Sequence, residues 1–256
     1  MTGRLEIVAL AGLPEVAEGA RLGDLITAGA TAAGIDLADG DILVISQKIV
    51  SKAEGRVRDL AAVEPGAEAI ELAARTDRDP RLVELVLGES KRILRATAAA
   101  LIVETHAGWV CANAGIDASN LPGEDSVALL PLDADASARR IRAEIAAAAA
   151  GARPAVVVAD SFGRPWRLGQ AEVAIGCAGV APVDDWRGRT DAHGRELAAT
   201  AIAAADQLAA AADLARTKDS GLPAVLIRGA GRLWTTEDGP GAAETLQRPE
   251  ADDLFR

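Results

Sequence analysis

The sequence predicts an α/β fold of the mixed α+β kind, and two observations carry this prediction. Short apolar runs, several of them rich in valine and isoleucine, indicate buried strands. Longer alanine- or leucine-rich segments indicate helices. The predicted strands are 5–9, 41–46, 99–104, 127–130, 155–159 and 224–228. The predicted helices are 67–76, 81–95, a segment that begins at Asp135 or Ser137 and ends near 150, and 196–215.

Each element has its own signal. The strands at 41–46 and 155–159 are nearly continuous runs of aliphatic residues, as in a buried sheet. The helix at 81–95 carries leucines at helical spacing, beginning at Leu82 and Leu85. Either Asp135 or Ser137 can cap the helix that follows, because both offer a side-chain oxygen to free backbone amides. The segment 196–215 is alanine-rich, and alanine is the strongest helix former.

The composition excludes several classes of protein. The chain of 256 residues suffices for one large or two small domains. Half of the residues are hydrophobic, yet no apolar run approaches the roughly 20 residues that span a bilayer. Residues 1–6 lack the apolar block of a signal peptide. A net charge of −11 argues against nonspecific binding of nucleic acid. We therefore expect neither a membrane nor nucleic acid as a partner.

The cysteines and histidines do not form an obvious site. Cys111 and Cys177 are the two cysteines of the chain, which favours a reducing cytoplasm over a disulfide scaffold. Both stand among small apolar residues, and we interpret them as core residues rather than nucleophiles. His106 and His193 are isolated and lack the spacing of metal ligands, so we interpret both as structural.

The segment 160–169 has the strongest chemical signature. It follows the predicted strand 155–159, so Asp160 and Ser161 are expected just past a strand end, where ligands bind in open α/β sheets. A carboxylate and a hydroxyl suit a hard divalent cation. Arg164 and Arg167 follow a glycine turn, and guanidinium groups suit phosphate or carboxylate. The alternative is a turn with surface arginines.

Two other segments add polar groups. In 113–120, Asp117 can ligate a metal, Asn120 can bind a phosphate or base, and the small residues before Ile116 let the backbone approach a ligand. The alternative is a turn rich in Asn and Asp. The segment 46–56 holds two lysines, two serines and an arginine, which predicts a cationic loop. It lacks the spacing of a P-loop, and a solvated basic turn is the alternative.

These segments, in this order, resemble the coenzyme F420-0:L-glutamate ligase (F420:γ-glutamyl ligase) family. The strings Ser-Lys-Ala-Glu-Gly-Arg, Ala-Gly-Ile-Asp-Ala-Ser-Asn and Gly-Arg-Pro-Trp-Arg are highly specific in combination. The likeness runs almost from end to end of the chain. It implies a two-lobed fold over 1–247, a homodimer, and a tail at 248–256 that resembles the stretch before a flavin-binding domain in fused actinobacterial relatives.

The resemblance also implies an activity. Family members use GTP to join L-glutamate to the carboxylate of F420-0, a deazaflavin phosphodiester, and then add further glutamates through the γ-carboxyl. Two divalent cations, Mg²⁺ or Mn²⁺, assist, and K⁺ is a further candidate. Trp109, Trp166 and Trp186 could wall a pocket for the flat ring. Plain packing is an equal alternative for each of them.

Roles carry over by position. One cation would be shared by Asp117 and Asp160, and Ser161 would ligate the second, although many relatives have threonine there. Arg164 and Arg167 would orient a substrate carboxylate or phosphodiester. Asp219 is a further candidate ligand. The expected nucleotide contacts are Leu13, Pro14, Glu15, Val16, Gln47, Lys48, Lys52, Asn120 and Lys218.

Two rival functions stay open. One is a ligase of the same plan that acts on a different acid, such as another F420 precursor. The other is a nucleotide-binding module that serves a flavin reductase domain without chemistry of its own. The sequence does not identify a general base.

Overall fold

A computed structural model describes residues 3–121, 123 and 125–253 of the chain. These residues form twelve strands and seven α-helices. The strands β1 to β12 are Glu6–Ala9, Ile42–Ser46, Val57–Asp59, Ser90–Ala96, Leu101–Thr105, Val110–Ala112, Ser126–Ala128, Ala155–Arg164, Arg167–Ala178, Val183–Asp185, Ala201–Ala203 and Ala224–Arg228. The helices α1 to α7 are Leu22–Ala32, Gln47–Ala53, Ala67–Thr76, Pro80–Gly88, Ala134–Ala148, Ala204–Asp213 and Ala242–Leu246.

A five-stranded sheet in the order β1-β12-β2-β8-β9 forms the centre of the fold. Strands β2 and β8 are parallel, and the other neighbours are antiparallel. Residues 42–45 and 155–159 are completely buried, because both faces of the sheet are covered. This explains why these strands are unbroken apolar runs rather than alternating ones. The predicted mixed α/β class is confirmed.

Helices cover the two faces of this sheet. On one face, Ile26 of α1 and Ile141 of α5 pack with Leu43 and Val156. On the other, α6 packs its alanines and Leu208 against the sheet. The approach of α5 is close, because a Cβ on Gly176 of β9 would lie 2.3 Å from the backbone of Ala134. Small residues therefore supply the packing that a chain without tyrosine and with two phenylalanines cannot obtain from aromatic rings.

A smaller hydrophobic core lies apart from the sheet. Helices α3 and α4 pack against the three-stranded sheet β4-β5-β6, with Leu72, Val83 and Val103 in the interior. The strand pairs β3-β7 and β10-β11 complete the described structure. The boundary between the two predicted lobes, and the division at 247, stay predictions. The last three residues of the predicted tail lie outside the described residues.

Two predicted helices are partly wrong. The one at 81–95 ends at Gly88, and Ser90–Ala96 is strand β4, whose residues alternate between more and less exposed along its pairing with β5. The sequence Arg92-Ile93-Leu94-Arg95 does not alternate between polar and apolar residues, so this strand carried no period-two signal and the apolar residues upstream favoured a helix. The helix at 196–215 is limited to α6, because 201–203 pair with β10 instead. Tertiary pairing overrides alanine's helix propensity there.

The cap of α5 differs from the prediction. Asp133 is the N-cap, and its Oδ1 accepts a hydrogen bond from the amide of Ala136 at 2.8 Å. Asp135 instead accepts hydrogen bonds from the amides of Cys177 and Ala242, both at 2.7 Å, and so ties the helix to β9 and α7. Ser137 donates to Glu54.

Within the described residues, no helix has the length and apolar character needed to cross a membrane.

Candidate active site

A cavity of about 1180 Å³ opens at the carboxyl end of β2 and beside residues 160–163 of β8. All three polar segments singled out in the sequence contribute to its wall, and so do the chain before α1 and the loop after α6. The lining segments are 13–16, 46–49 with Lys52, 111–121 except 114 and 118, 160–163 with Gln170 and Glu172, and residues 213, 216–219 and 221–223. The cavity is large enough for a nucleotide with part of a second substrate.

Strand register brings the first two segments together. The parallel pair β2 and β8 runs in step as far as Ser46 and Ala159, so Gln47 and Asp160 leave the pair at the same edge. The expectation that Asp160 lies past a strand end needs correction, since β8 continues to Arg164 in a hairpin with β9. The hairpin extends past the end of β2. Asp160 and Ser161 thus lie on a rigid element rather than in a turn.

The predicted basic loop is also corrected, because 47–53 are helix α2. Lys48 and Lys52 are one turn apart and share a face, and their side chains are only 14% and 11% exposed. Gln47 is buried and accepts a hydrogen bond from the hydroxyl of Ser51 at 2.8 Å. The helix therefore presents two ammonium groups to the cavity and keeps its neutral polar groups inside.

Asp117 faces Lys48 across the cavity wall. The two form an ion pair of 2.9 Å, and Asp117 also accepts the amide of Ser119 at 2.7 Å. Burial alone would raise the pKa of Asp117, but the hydrogen bonds from Lys48 and Ser119 outweigh it and hold the pKa below its usual value. Asp117 is therefore an ionised carboxylate at neutral pH.

The residues before Ile116 form a sharp turn between the protein interior and the cavity. Asn113, Ala114 and Gly115 all have positive φ, of 50°, 55° and 71°, so the chain turns sharply before Asp117. A Cβ on Gly115 would lie 2.6 Å from Leu130, and Ala114 is buried in the smaller core. Asn113 and Gly115 also line the cavity, and the expected approach of the backbone to a ligand stays a prediction.

Asp160 lies near two other carboxylates, those of Glu172 and Asp117. Burial raises its pKa to about 7, and the charges of Glu172 and Asp117 add to the rise. Glu172 lies opposite Ser161 in the β8–β9 register and is 4% exposed. Glu172 was not among the residues predicted from the sequence. The sequence did offer one signal for Glu172. It is a carboxylate among the otherwise small and apolar residues 171–178, which belong to strand β9.

The loop after α6 brings Lys218 to the same place. Its Nζ lies 2.5 Å from Ser161 Oγ and 2.8 Å from Glu172 Oε1. The side-chain amide of Asn120 donates to the carbonyl oxygen of Lys218 at 3.1 Å and so joins two of the predicted nucleotide contacts. Asp219 lines the cavity, and its carboxylate accepts a hydrogen bond from Thr217 at 2.6 Å.

The segment Leu13, Pro14, Glu15 and Val16 forms the remaining predicted wall. Lys52 Nζ lies 2.5 Å from Glu15 Oε1 and 3.3 Å from the carbonyl oxygen of Asn120. Glu15 is 79% exposed, so Lys52 is the inner member of this pair. Three cavity lysines, at 48, 52 and 218, thus each have an acidic partner.

Other predicted residues lie elsewhere. Arg164 and Arg167 are exposed at the hairpin end and do not line the cavity, and Arg164 donates to the carbonyl oxygen of Leu168 at 2.9 Å. Trp166 is 86% exposed at the same tip. Trp109 packs between the two cores of the main sheet, and Trp186 stacks under Arg189 at 5.0 Å. These tryptophans do not line the cavity.

The two cysteines are core residues, as interpreted, and the structural role of the histidines stays a prediction. Cys111 and Cys177 are buried and free, and burial raises the pKa of each thiol to about 12. Cys111 touches the cavity wall, but a protonated thiol is a poor nucleophile. His106 makes a hydrogen bond to the carbonyl oxygen of Gly88 at 3.1 Å, and His193 lies exposed on the β10–β11 loop.

The donor set suits a divalent cation. The oxygens of Asp117, Asp160 and Ser161 face one cavity and are of the type that Mg²⁺ and Mn²⁺ prefer. Burial is the main cause of the raised pKa of Asp160, and the charges of Glu172 and Asp117 add to it, so a bound cation would favour the ionised carboxylate. In the described part of the chain, no three His, Cys, Asp or Glu side chains lie close enough to hold a metal alone. The site fits a cation whose coordination is completed by water or phosphate.

Fold and cavity together define an α/β protein in which three lysines, several carboxylates and a hydroxyl line one cavity. The chain belongs to the F420-0:gamma-glutamyl ligase family, since the sequence model of that family matches residues 12–229. It is also similar over nearly its whole length to several proteins named coenzyme F420:L-glutamate ligase.

Three of these relatives show the extent of the similarity. The protein of Methanothermobacter thermautotrophicus is 43% identical over 98% of this chain and 99% of its own length. That of Natronomonas pharaonis is 42% identical over 98% and 95%. That of Archaeoglobus fulgidus is 40% identical over 99% and 97%. The likeness therefore covers both cores and every segment of the cavity.

Proposed function

We propose that the protein is a ligase of coenzyme F420 biosynthesis that uses GTP to add L-glutamate to F420-0 and then further γ-linked glutamates. The observation that carries the proposal is the single cavity in which the predicted nucleotide and cation residues meet, in a chain of this family. Mass analysis of the product formed from F420-0, GTP and glutamate tests it.

Phosphate binding falls to the three cavity lysines. Lys48, Lys52 and Lys218 supply point charges, which is how lysine binds phosphate. The chain carries a net charge of −11, so a concentration of lysines in one cavity is a local feature and not a reflection of bulk charge. In each ion pair, a phosphate oxygen can take the place of the carboxylate.

Asp117, Asp160 and Ser161 would hold two divalent cations, Mg²⁺ or Mn²⁺, with K⁺ as a further candidate. Bound cations would supply neutralisation of the charge on the transferring phosphoryl group. The protein's own contribution is to hold Asp160 and Ser161 on strand β8 and Asp117 on a segment that bridges to Ala128 of β7.

The proposed reaction has two balanced steps. A carboxylate oxygen of F420-0 attacks the γ-phosphorus of GTP, GDP leaves, and an acyl phosphate forms. The amine nitrogen of L-glutamate then attacks the acyl carbon, inorganic phosphate leaves, and an amide forms with loss of the amine proton. Activation is required because a free carboxylate does not form an amide at a useful rate.

We expect Lys52→Ala to raise the KM for GTP about 5- to 150-fold, as loss of one lysine–phosphate contact costs about 1–3 kcal/mol. The KM for glutamate should stay unchanged in steady-state assays. Lys91→Ala is the matched control, because this exposed lysine pairs with Glu104 and does not line the cavity. It should leave the KM for GTP unchanged. A change in glutamate KM alone would place Lys52 in the acceptor site.

We expect Arg167→Ala to raise the KM for F420-0 severalfold without changing the KM for GTP. Arg167 is exposed at the end of the hairpin whose base, at Phe162 and Gln170, lines the cavity, so it can reach a carboxylate or phosphodiester that extends beyond the rim. Arg187→Ala is the control, since this exposed arginine pairs with Asp185 and does not line the cavity. Equal effects of both changes would contradict a substrate role for Arg167.

We also propose that the protein is a homodimer, as the family resemblance implies. Light scattering of the purified chain reads the mass in solution directly, and a monomeric mass would contradict this part of the proposal.

A further inference from the structure

Glu172 is a buried acid to which the proposed reaction gives no role. It lies on β9 directly opposite Ser161 and is 4% exposed. Burying a carboxylate costs several kcal/mol unless charge and hydrogen bonds compensate it. A hydrophobic residue at this position would avoid that cost. The partners of Glu172 therefore indicate what the carboxylate is for.

Those partners include two groups of the proposed site. Glu172 Oε1 accepts hydrogen bonds from the hydroxyl of Ser161 and from Lys218 Nζ, the latter at 2.8 Å. Lys218 Nζ in turn donates to Ser161 Oγ at 2.5 Å. The third partner is Arg216, whose Nη2 lies 3.4 Å from Glu172 Oε2.

This arrangement fixes the direction of the Ser161 hydroxyl. A carboxylate only accepts hydrogen bonds, so the hydroxyl proton must point to Glu172. The lone pairs of Ser161 Oγ then face away from Glu172, where they can accept a cationic group. In this structure the Nζ of Lys218 is the cationic group that they face. A hydroxyl that ligates a metal ion needs this same orientation.

The alternative is that Glu172 only balances the charge of Arg216. Arg216 has other partners, since Nη1 donates to the carbonyl oxygen of Pro223 at 3.2 Å and Nε to Asp213 at 3.5 Å. The contact between Arg216 and Glu172 is also longer than those of Lys218 and Ser161. The short contacts of Glu172 are thus with residues of the cavity.

We propose that Glu172 is a positioning residue, which accepts the proton of the Ser161 hydroxyl and so turns the lone pairs of Ser161 Oγ toward a divalent cation. The inference rests on the proposed function and names a residue to which that function assigned no part. Partners that orient metal ligands typically change metal affinity 10- to 100-fold.

A double-mutant cycle tests the proposal. Mn²⁺ binding is measured by titration calorimetry in the presence of a non-hydrolysable GTP analogue, for the wild type, Glu172→Gln, Ser161→Ala and the double variant. We expect each single change to weaken binding of one Mn²⁺ about 10-fold or more. The double variant should bind no more weakly than Ser161→Ala, because Glu172 acts through the hydroxyl. Additive losses, or wild-type binding by Glu172→Gln, would overturn the proposal.

Two further variants guard against loss of the fold. Glu172→Asp keeps the charge near Arg216 but withdraws the carboxylate by one methylene, so it should weaken Mn²⁺ binding while thermal stability is retained. Asp206→Asn is the control, because Asp206 is a half-buried carboxylate that also contacts β9, where it accepts a hydrogen bond from the amide of Ala174 at 2.9 Å. This variant should bind Mn²⁺ as the wild type does. Since these readouts are binding, a wild type that binds Mn²⁺ and nucleotide without forming product would contradict the proposed function alone.

Discussion

Replacing Asp160 with asparagine will abolish ligation and weaken cation-dependent binding of GTP, while the fold is retained. The asparagine amide keeps the shape of the side chain but loses the charge that a divalent cation requires. Asp117→Asn should behave in the same way, because one carboxylate holds such a cation poorly. Product formation by mass and nucleotide binding with and without Mg²⁺ measure both effects. Near wild-type turnover in either variant would remove that residue from the cation site.

The same Asp160→Asn change should stabilise the metal-free protein at high pH. The folded state holds the proton on Asp160 more tightly than the unfolded chain does, since its pKa is raised from 3.8 to about 7. Stability from this group is therefore present below the unfolded pKa and is lost as the pH rises to about 7. At about pH 8, the unfolding free energy of the Asp160→Asn variant should exceed that of the wild type by about 1–3 kcal/mol. This is less than the free energy equivalent to the whole pKa shift, because Asp160 is partly exposed.

The pH dependence supplies the control for that effect. At about pH 4 both states hold the proton for much of the time, so the melting temperatures of variant and wild type should converge. A variant that is destabilised equally at both pH values would show that the introduced amide disrupts packing. A gain in stability with a loss of activity is the expected sign of a carboxylate kept for function.

GTP should support ligation and ATP scarcely at all, with kcat/KM lower by a factor of about 100 or more for ATP. Guanine differs from adenine by an exocyclic amine donor and a carbonyl acceptor. A cavity that pairs these groups leaves its own polar groups unpaired when adenine binds, which is costly. Steady-state rates with both nucleotides measure the ratio.

Inosine triphosphate is the matched control for the nucleotide. It keeps the carbonyl of guanine and lacks the exocyclic amine. A rate with inosine triphosphate between the rates with GTP and ATP would show that both the amine and the carbonyl contribute to the preference for GTP. Equal rates with GTP and ATP would mean that the base is held by stacking alone. The assignment of Asn120 and the 13–16 segment to the nucleotide would then be in doubt.

The sequence predicted the elements whose signal is local. Strand β12 and helix α3 have the expected limits, and the three cavity segments were found because carboxylates, hydroxyls and lysines follow apolar strands. Helix α2 was missed because Lys48 and Lys52 suggested a solvated loop. In the structure the segment is a helix whose Gln47 and Ser51 side chains are buried and hydrogen-bonded to each other. Strand β4 was missed because leucines at helical spacing precede it directly.

Long-range pairing could not be predicted from local pattern. Glu172 lies 11 residues from Ser161 along the chain, and only the β8–β9 register places them side by side. Lys218 reaches Ser161 across 57 residues of sequence. Such contacts depend on the closure of the whole fold around the cavity. The same closure leaves Arg164 and Arg167 at the hairpin end, outside the cavity that their motif helps to build.

The measurement that tests the proposed function most directly is the mass of the product formed when the purified protein is incubated with F420-0, GTP, L-glutamate and Mg²⁺ or Mn²⁺. We expect F420-0 to gain one or more glutamyl units, with release of GDP and phosphate in equal number to the amide bonds formed. Product on a different acid would favour the rival ligase. No glutamate incorporation by a protein that binds GTP and the cation would contradict the proposal and favour the nucleotide-binding module.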